Sequence, residues 1–125
     1  MRAIPMIVVA LAASAVMGCS NRSKTVQAAE LTGGNPKSGK NKIAYYGCGS
    51  CHDIKGIPGA IGLVGPPLDN VAMRVYLGGV LQNSPNNMAL WIMNPKQFDE
   101  KTAMPNLHVT QSDAIDITAY LYSLQ

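Results

Sequence analysis

Cys48, Gly49, Ser50, Cys51 and His52 place two thiols and an imidazole within five consecutive positions. Three chemistries use such a set. A C-x-x-C pair can cycle between dithiol and disulfide. Two thiolates and an imidazole can supply three of the four ligands of a structural zinc. The C-x-x-C-H run is also the attachment sequence for a covalently bound haem.

The rest of the chain weighs these against one another. A zinc site needs a fourth ligand, and the one other histidine is the distant His108. A redox dithiol of the thioredoxin kind follows a strand in a βαβ unit, and no strand-rich pattern precedes Cys48. Haem attachment suits the spacing: at i and i+3 the two sulfurs share one side of a helical turn and can reach two vinyl groups on adjacent edges of a porphyrin, while His52 turns to the iron. The composition agrees. The chain has 125 residues, 47% apolar but only 6% aromatic, with one Trp and one Phe. So small a domain has a lean core unless a large apolar group is added to it.

Several elements must position this motif. A helix is predicted over about 40–46, with Ile43, Ala44 and Gly47 on one face. A second opens with Ser84 as N-cap and Pro85 at its first position, runs through Met88, Trp91 and Ile92, and stops before Asn94-Pro95. A third opens on a Thr110/Asp113 capping box and carries Ile117, Tyr120, Leu121 and Leu124 as its apolar stripe. Segment 55–68 reads as loop by its Gly and Pro content, and 71–77 as a further short helical segment. The iron's second axial ligand would come from Met73, Met88, Met93, Met104 or His108. Met104 is best placed, in an irregular segment with Pro105 stiffening the backbone beside it. His108 and an iron left open on that side are the alternatives.

The N-terminus has a different character. Arg2 precedes an uncharged apolar run from Ile4 to Met17, shorter than the ~20 residues of a spanning helix and laid out as an export signal. Val16-Met17-Gly18-Cys19 resembles a bacterial lipobox, which implies cleavage before Cys19 and a lipid on its sulfur; ordinary cleavage after Ala15 is the alternative. The expected organisation is a lipoprotein signal peptide over 1–18, a flexible polar tether over 19–38 carrying the lipidated Cys19, and a haem domain over 39–125. In that domain six Lys and Arg balance six Asp and Glu. The apolar loop 56–65 follows the motif directly, and Ile57, Ile61 and Val64 could form a dry docking patch there.

The order Cys-Gly-Ser-Cys-His, Gly65-Pro66-Pro67-Leu68, Trp91-Ile92-Met93-Asn94-Pro95, Thr102-Ala103-Met104-Pro105 and Asp116-Ile117-Thr118-Ala119-Tyr120-Leu121 resembles a class I c-type cytochrome. The resemblance implies an all-α cytochrome c fold, three main helices plus loops wrapped around one covalent haem c. It implies Cys48 and Cys51 as the attachment residues and His52 and Met104 as axial iron ligands. The Pro66 carbonyl would accept the Nδ1 proton of His52, and Leu68 would pack on the haem. Arg74 and Thr102 would stand on the propionate side, and Trp91 would line the Met side of the ring. Tyr120 would be the aromatic of the C-terminal helix where it crosses the N-terminal one. Gly39 lies one residue further from the motif than the family's crossing glycine usually does.

A narrower resemblance is to small membrane-attached bacterial cytochromes c that serve terminal oxidases. The function implied is that of a one-electron carrier rather than an enzyme, anchored through Cys19 on the outer, periplasmic side of a membrane and exchanging electrons with redox protein partners, with no role for nucleic acid. A permanently docked haem subunit of an oxidase or dehydrogenase, and an open-iron haem enzyme or gas sensor, are the alternatives.

Overall fold

A computed structural model of the chain describes residues 23–125; the apolar run and Cys19 lie outside the described residues. Four helices carry the architecture: α1 (Lys24–Thr32), α2 (Pro36–Tyr45), α3 (Pro85–Met93) and α4 (Gln111–Tyr122). A small hairpin, β1 (Tyr76–Leu77) with β2 (Leu81–Gln82), pairs Tyr76 with Gln82 and Leu77 with Leu81. Short 3₁₀ turns occupy Cys48–Ser50, Val71–Met73 and Pro95–Gln97.

All four of these helices start the same way, with a side-chain oxygen accepting free N–H groups of the first turn. Asn35 caps α2, accepting from the Lys37 and Ser38 amides at 3.0 and 3.2 Å. Ser84 caps α3, accepting from Asn87 at 3.1 Å, and Thr110 caps α4, accepting from Asp113 at 3.3 Å. Pro36 and Pro85 follow their caps at the first helical position, where the missing N–H costs nothing. The start of α3, its end before Asn94 and the start of α4 are as predicted.

Helix α4 is the centre of the frame, with α1, α2 and α3 all packed on it. The crossing with α2 is very close: a Cβ on Gly39 would lie 1.9 Å from the Asp116 carbonyl oxygen. Only glycine lets the two backbones touch there, so Gly39 is the crossing residue despite its offset. The core fills from this contact outward with Ile43, Met88, Ala114, Ile117 and Leu121, all at most 4% exposed.

Four expectations change. The segment read as a loose tether over 19–38 is folded from Lys24 onward, because Ser23 caps α1, Ala28 is buried at 1% exposure and Gly33 closes the helix in the left-handed region. Helix α2 accordingly begins at Pro36 rather than near 40. The expected helical segment 71–77 is a single 3₁₀ turn that runs into β1, since Gly78 and Gly79, both at positive φ, turn the chain back into β2. Ile57, expected in a surface patch, is 9% exposed and belongs to the core, whereas Ile61 and Val64 are 77% and 73% exposed.

Candidate functional site

A cavity of about 370 Å³ opens between the motif, the hairpin, α3 and α4. Its walls are mainly apolar, with Ile43, Ile54, Val71, Met88, Ile117 and Leu121 among them. Cys48, Cys51 and His52 enter it from one stretch of chain, and Thr102 and Met104 from another fifty residues on.

The motif turns tightly. Gly47, at φ 71°, ends the α2 region and lets the chain swing into the 3₁₀ turn; the Cys51 and His52 amides then both donate to the Cys48 carbonyl, at 3.2 and 3.1 Å. Both thiols are free and half-buried on the cavity wall. Burial pushes the Cys48 thiol up from its ordinary value.

The His52 Nδ1–H donates to the Pro66 carbonyl at 2.7 Å. A carbonyl can only accept, so this bond sets the tautomer and leaves Nε2 as the ring nitrogen with a free lone pair. The ring lies flat against Gly65, where a Cβ would meet Cε1 at 2.3 Å and Nδ1 at 2.6 Å. The same loop is laced to the motif by backbone bonds: Gly65 N–H to the Cys51 carbonyl at 2.7 Å, and Gly62 N–H to the Gly49 and His52 carbonyls at 3.2 and 3.3 Å. The Arg74 guanidinium donates to the Pro67 carbonyl and ties the loop from its other side.

Met104 is half-buried on the cavity wall, its amide donating to the Thr102 hydroxyl at 3.2 Å. That hydroxyl accepts there and keeps its own proton to donate. The Lys96 ammonium holds the segment by donating to the Thr102 carbonyl at 3.1 Å. Among the other candidates, Met88 also borders the cavity but is 2% exposed within α3, Met73 is 70% exposed, and neither Met73, Met93 nor His108 lines the space. Leu68, Arg74 and Trp91 all line it, with Trp91 6.4 Å from the Phe98 ring, centroid to centroid.

Two residues not singled out from the sequence belong here. Gly65 is one, and its place directly before Pro66 was the available signal. Tyr46 is the other: it lines the cavity and donates to Asp113 Oδ2 at 2.8 Å, while Lys42 bridges Asp113 Oδ1 at 3.0 Å. The Tyr46 hydroxyl first, then the Lys42 ammonium, hold the Asp113 carboxyl below the usual carboxylate range; the same carboxylate raises the pKa of both Tyr46 and Lys42.

The donor set suits a covalently held macrocycle: two thiols, a histidine of fixed tautomer and a thioether on one apolar cavity. It does not suit a bare ion. Among the described residues no group of three or more His, Cys, Asp and Glu is arranged to hold one.

A family model described as Cytochrome c matches residues 37–125. The chain is 28% identical over 88 residues to the protein named cytochrome c oxidase subunit 2 of Alkalihalophilus pseudofirmus; the match covers 70% of this chain and 25% of that protein. The chain therefore spans about a quarter of that relative's length. No solved structure gives a significant match. No described helix is long and apolar enough to cross a membrane.

Proposed function

From the premise that the chain belongs to the cytochrome c family, which makes it a class I c-type cytochrome with covalently bound haem c and an electron-transfer haem protein, we propose that it is a one-electron carrier whose iron is held by His52 and Met104. The observation that carries this reading is the pairing of a histidine locked by the Pro66 carbonyl with a loop methionine on the same cavity. Haem c, when bound, supplies an iron that takes up and releases one electron.

The protein does the rest. Cys48 and Cys51 fix the macrocycle in one orientation. The bond from His52 to Pro66 makes the imidazole a stronger donor, and a thioether from Met104 favours the reduced iron, which sets a higher potential than two histidines would. With His52 and Met104 both holding it, a bound haem would carry an electron and offer no place to a substrate. Arg74 and Thr102 stand ready to bond the propionates, and the apolar walls exclude water from the iron.

The carrier is exported and anchored through a lipid on Cys19, a reading supported by the export-signal layout of 1–18 and the lipobox-like Val16 to Cys19. Its partner is a membrane-bound respiratory enzyme of the terminal oxidase class, supported by the similarity to an oxidase subunit. The balanced charge of 39–125 and the exposed Ile61 and Leu63 beside the motif favour a short-range apolar contact over long-range steering. The same similarity supports a second reading, a haem domain permanently docked in such an enzyme; migration of the haem protein alone after mild detergent extraction separates the two.

Carbon monoxide tests the ligation. The reduced native holoprotein is expected to bind none at neutral pH, and the oxidised protein to show the weak far-red band of a thioether-ligated iron. Stoichiometric binding by the native protein would mean an open iron, and would favour a gas sensor or an enzyme instead.

A further inference from the structure

The link between a lipid-bearing Cys19 and the folded domain is much shorter than a twenty-residue tether. Helix α1 runs antiparallel along α4. At one end the Lys24 ammonium donates to the Gln125 carbonyl, and at the other Gly34 presses on α4 so closely that a Cβ there would lie 2.5 Å from the Ile115 carbonyl oxygen and 3.1 Å from the Ala119 Cβ. Midway, Ala28 is 1% exposed.

The side of α4 that α1 covers is defined by the helix period. Ile117 and Leu121 line the cavity. With 100° between successive residues, Ile115 and Ala119 point roughly the opposite way. Helix α1 therefore lies on the side of α4 away from the cavity, with its first residue at the C-terminal end of α4.

Only Ser20, Asn21 and Arg22 separate Cys19 from Ser23. Fully extended, four Cα steps reach about 14 Å. Opposite sides of a domain of this size are about 30 Å apart. A leash of that length, fixed at the α1 side, cannot bring the far side of the domain to the surface that holds the lipid. Val26, 44% exposed and about 160° around α1 from the buried Ala28, gives the near side an apolar contact to offer that surface.

We propose that α1 is a rigid spacer that seats its own side of the domain on the bilayer surface and turns the cavity side toward water. The proposal rests on the reading that Cys19 carries the lipid. It makes the anchor an orienting device as well as a retaining one: the occupant of the α1 side is the membrane, and the redox partner approaches from above.

Linear dichroism of the haem band tests this, using the complete lipid-modified holoprotein in oriented bilayers of phosphatidylcholine and phosphatidylglycerol. The native protein is expected to give a clear signal. Twelve Gly and Ser residues inserted between Arg22 and Ser23 should abolish it, and so should Ala28→Asp, which dislodges α1, with the solution haem spectrum of both variants unchanged. The rate of electron exchange with a soluble redox protein should agree within about twofold between bilayers and detergent micelles, because the cavity side faces water in both. Absent dichroism in a native chain whose mass includes the lipid overturns the proposal, as does an insertion variant with undiminished dichroism. A rate on bilayers many times slower than in micelles overturns it too. A mass without the lipid brings down the anchoring reading itself, and the proposal with it.

Discussion

The two stretches that reach the cavity are built in different ways. On the His52 side, the loop 59–68 is bonded back to the motif at several points: Gly62 to Gly49 and His52, Gly65 to Cys51, the His52 ring to Pro66, and Leu68 N–H to the Asp53 carbonyl at 2.9 Å. These bonds are made by the protein's own groups, so the place of the histidine does not rest on any single contact. On the Met104 side, segment 99–109 bonds mostly to itself and its near neighbours: Thr102 to Asp99, Met104 to Thr102, and His108, in the left-handed region at φ 56°, to Asn106. Its one longer tie among these, Asn106 to Asn94, is 3.5 Å. One of the two residues is therefore preorganised by bonds from several parts of the chain, whereas the other sits in a segment held by few of them. Few long-range bonds and a solvent-facing backbone are what a segment of low local stability looks like.

Breaking the preorganised side should have the larger consequence. Gly65→Ala places a methyl group in the His52 ring, and the ring can move aside only by giving up the Pro66 carbonyl. The yield of covalent holoprotein is expected to fall at least about tenfold, the usual cost of losing the group that orients a metal-bound histidine. Pyridine haemochrome absorbance per unit of total protein measures it. A yield equal to the native protein's would show that the loop relaxes around the methyl group, and the contrast between the two sides would lose its basis.

Met104→Ala acts on the other side and should separate ligation from attachment. Haem should still be attached at half the native level or better, because Cys48, Cys51 and His52 are untouched. The potential should drop by on the order of 100 mV, the far-red band should vanish, and reduced protein should now bind carbon monoxide. If attachment fails as it does for Gly65→Ala, the Met104 segment is as much a part of the preformed site as the histidine loop. If His108→Ala produces these changes and Met104→Ala does not, the second ligand has been misassigned; the exposure of His108 outside the cavity wall argues against that.

The same contrast explains what could be read from the chain. The C-x-x-C-H set was legible because its spacing is itself the chemistry, and the place of Met104 on the cavity wall because a methionine beside proline in an irregular segment has no helical partner to pack on. Helices α3 and α4 announced themselves by a cap followed by an apolar period. Helix α2 carries the same signature in Asn35-Pro36, obscured by the preceding Gly33-Gly34, which suggests flexibility. Gly34 in fact marks close packing. Helix α1 could not be found by periodicity, since the one buried residue it contributes is Ala28, too small to raise a hydrophobic signal. The roles of Gly65 and Tyr46 arise from contacts between segments distant in sequence, and no local pattern records those.

The smallest effect concerns where the Met104 segment ends. It runs into α4 through Thr110, and Asp113 ties that first turn to α2 through Tyr46 and Lys42. The pKa of Asp113 is lowered in the folded protein, chiefly by the Tyr46 hydroxyl and then by Lys42. A lowered carboxyl pKa contributes stability that is complete above the unfolded value of about 4 and is lost as pH falls through the folded value. Tyr46 and Lys42 have raised values, so their share is complete below about 10 and fades as pH climbs beyond it. Asp113→Asn keeps an acceptor for the Tyr46 hydroxyl but removes the charge. The variant should therefore unfold at lower denaturant than the native protein between about pH 5 and 9, with the gap narrowing below pH 4 and again above pH 10. Because Tyr46 also lines the cavity, hydrogen exchange in segment 99–109 should quicken in the variant while the amides of Gly62 and Gly65 keep their protection. Equal quickening on both sides would mean that the two stretches open together, and the difference between them would be one of bonding pattern without consequence for stability.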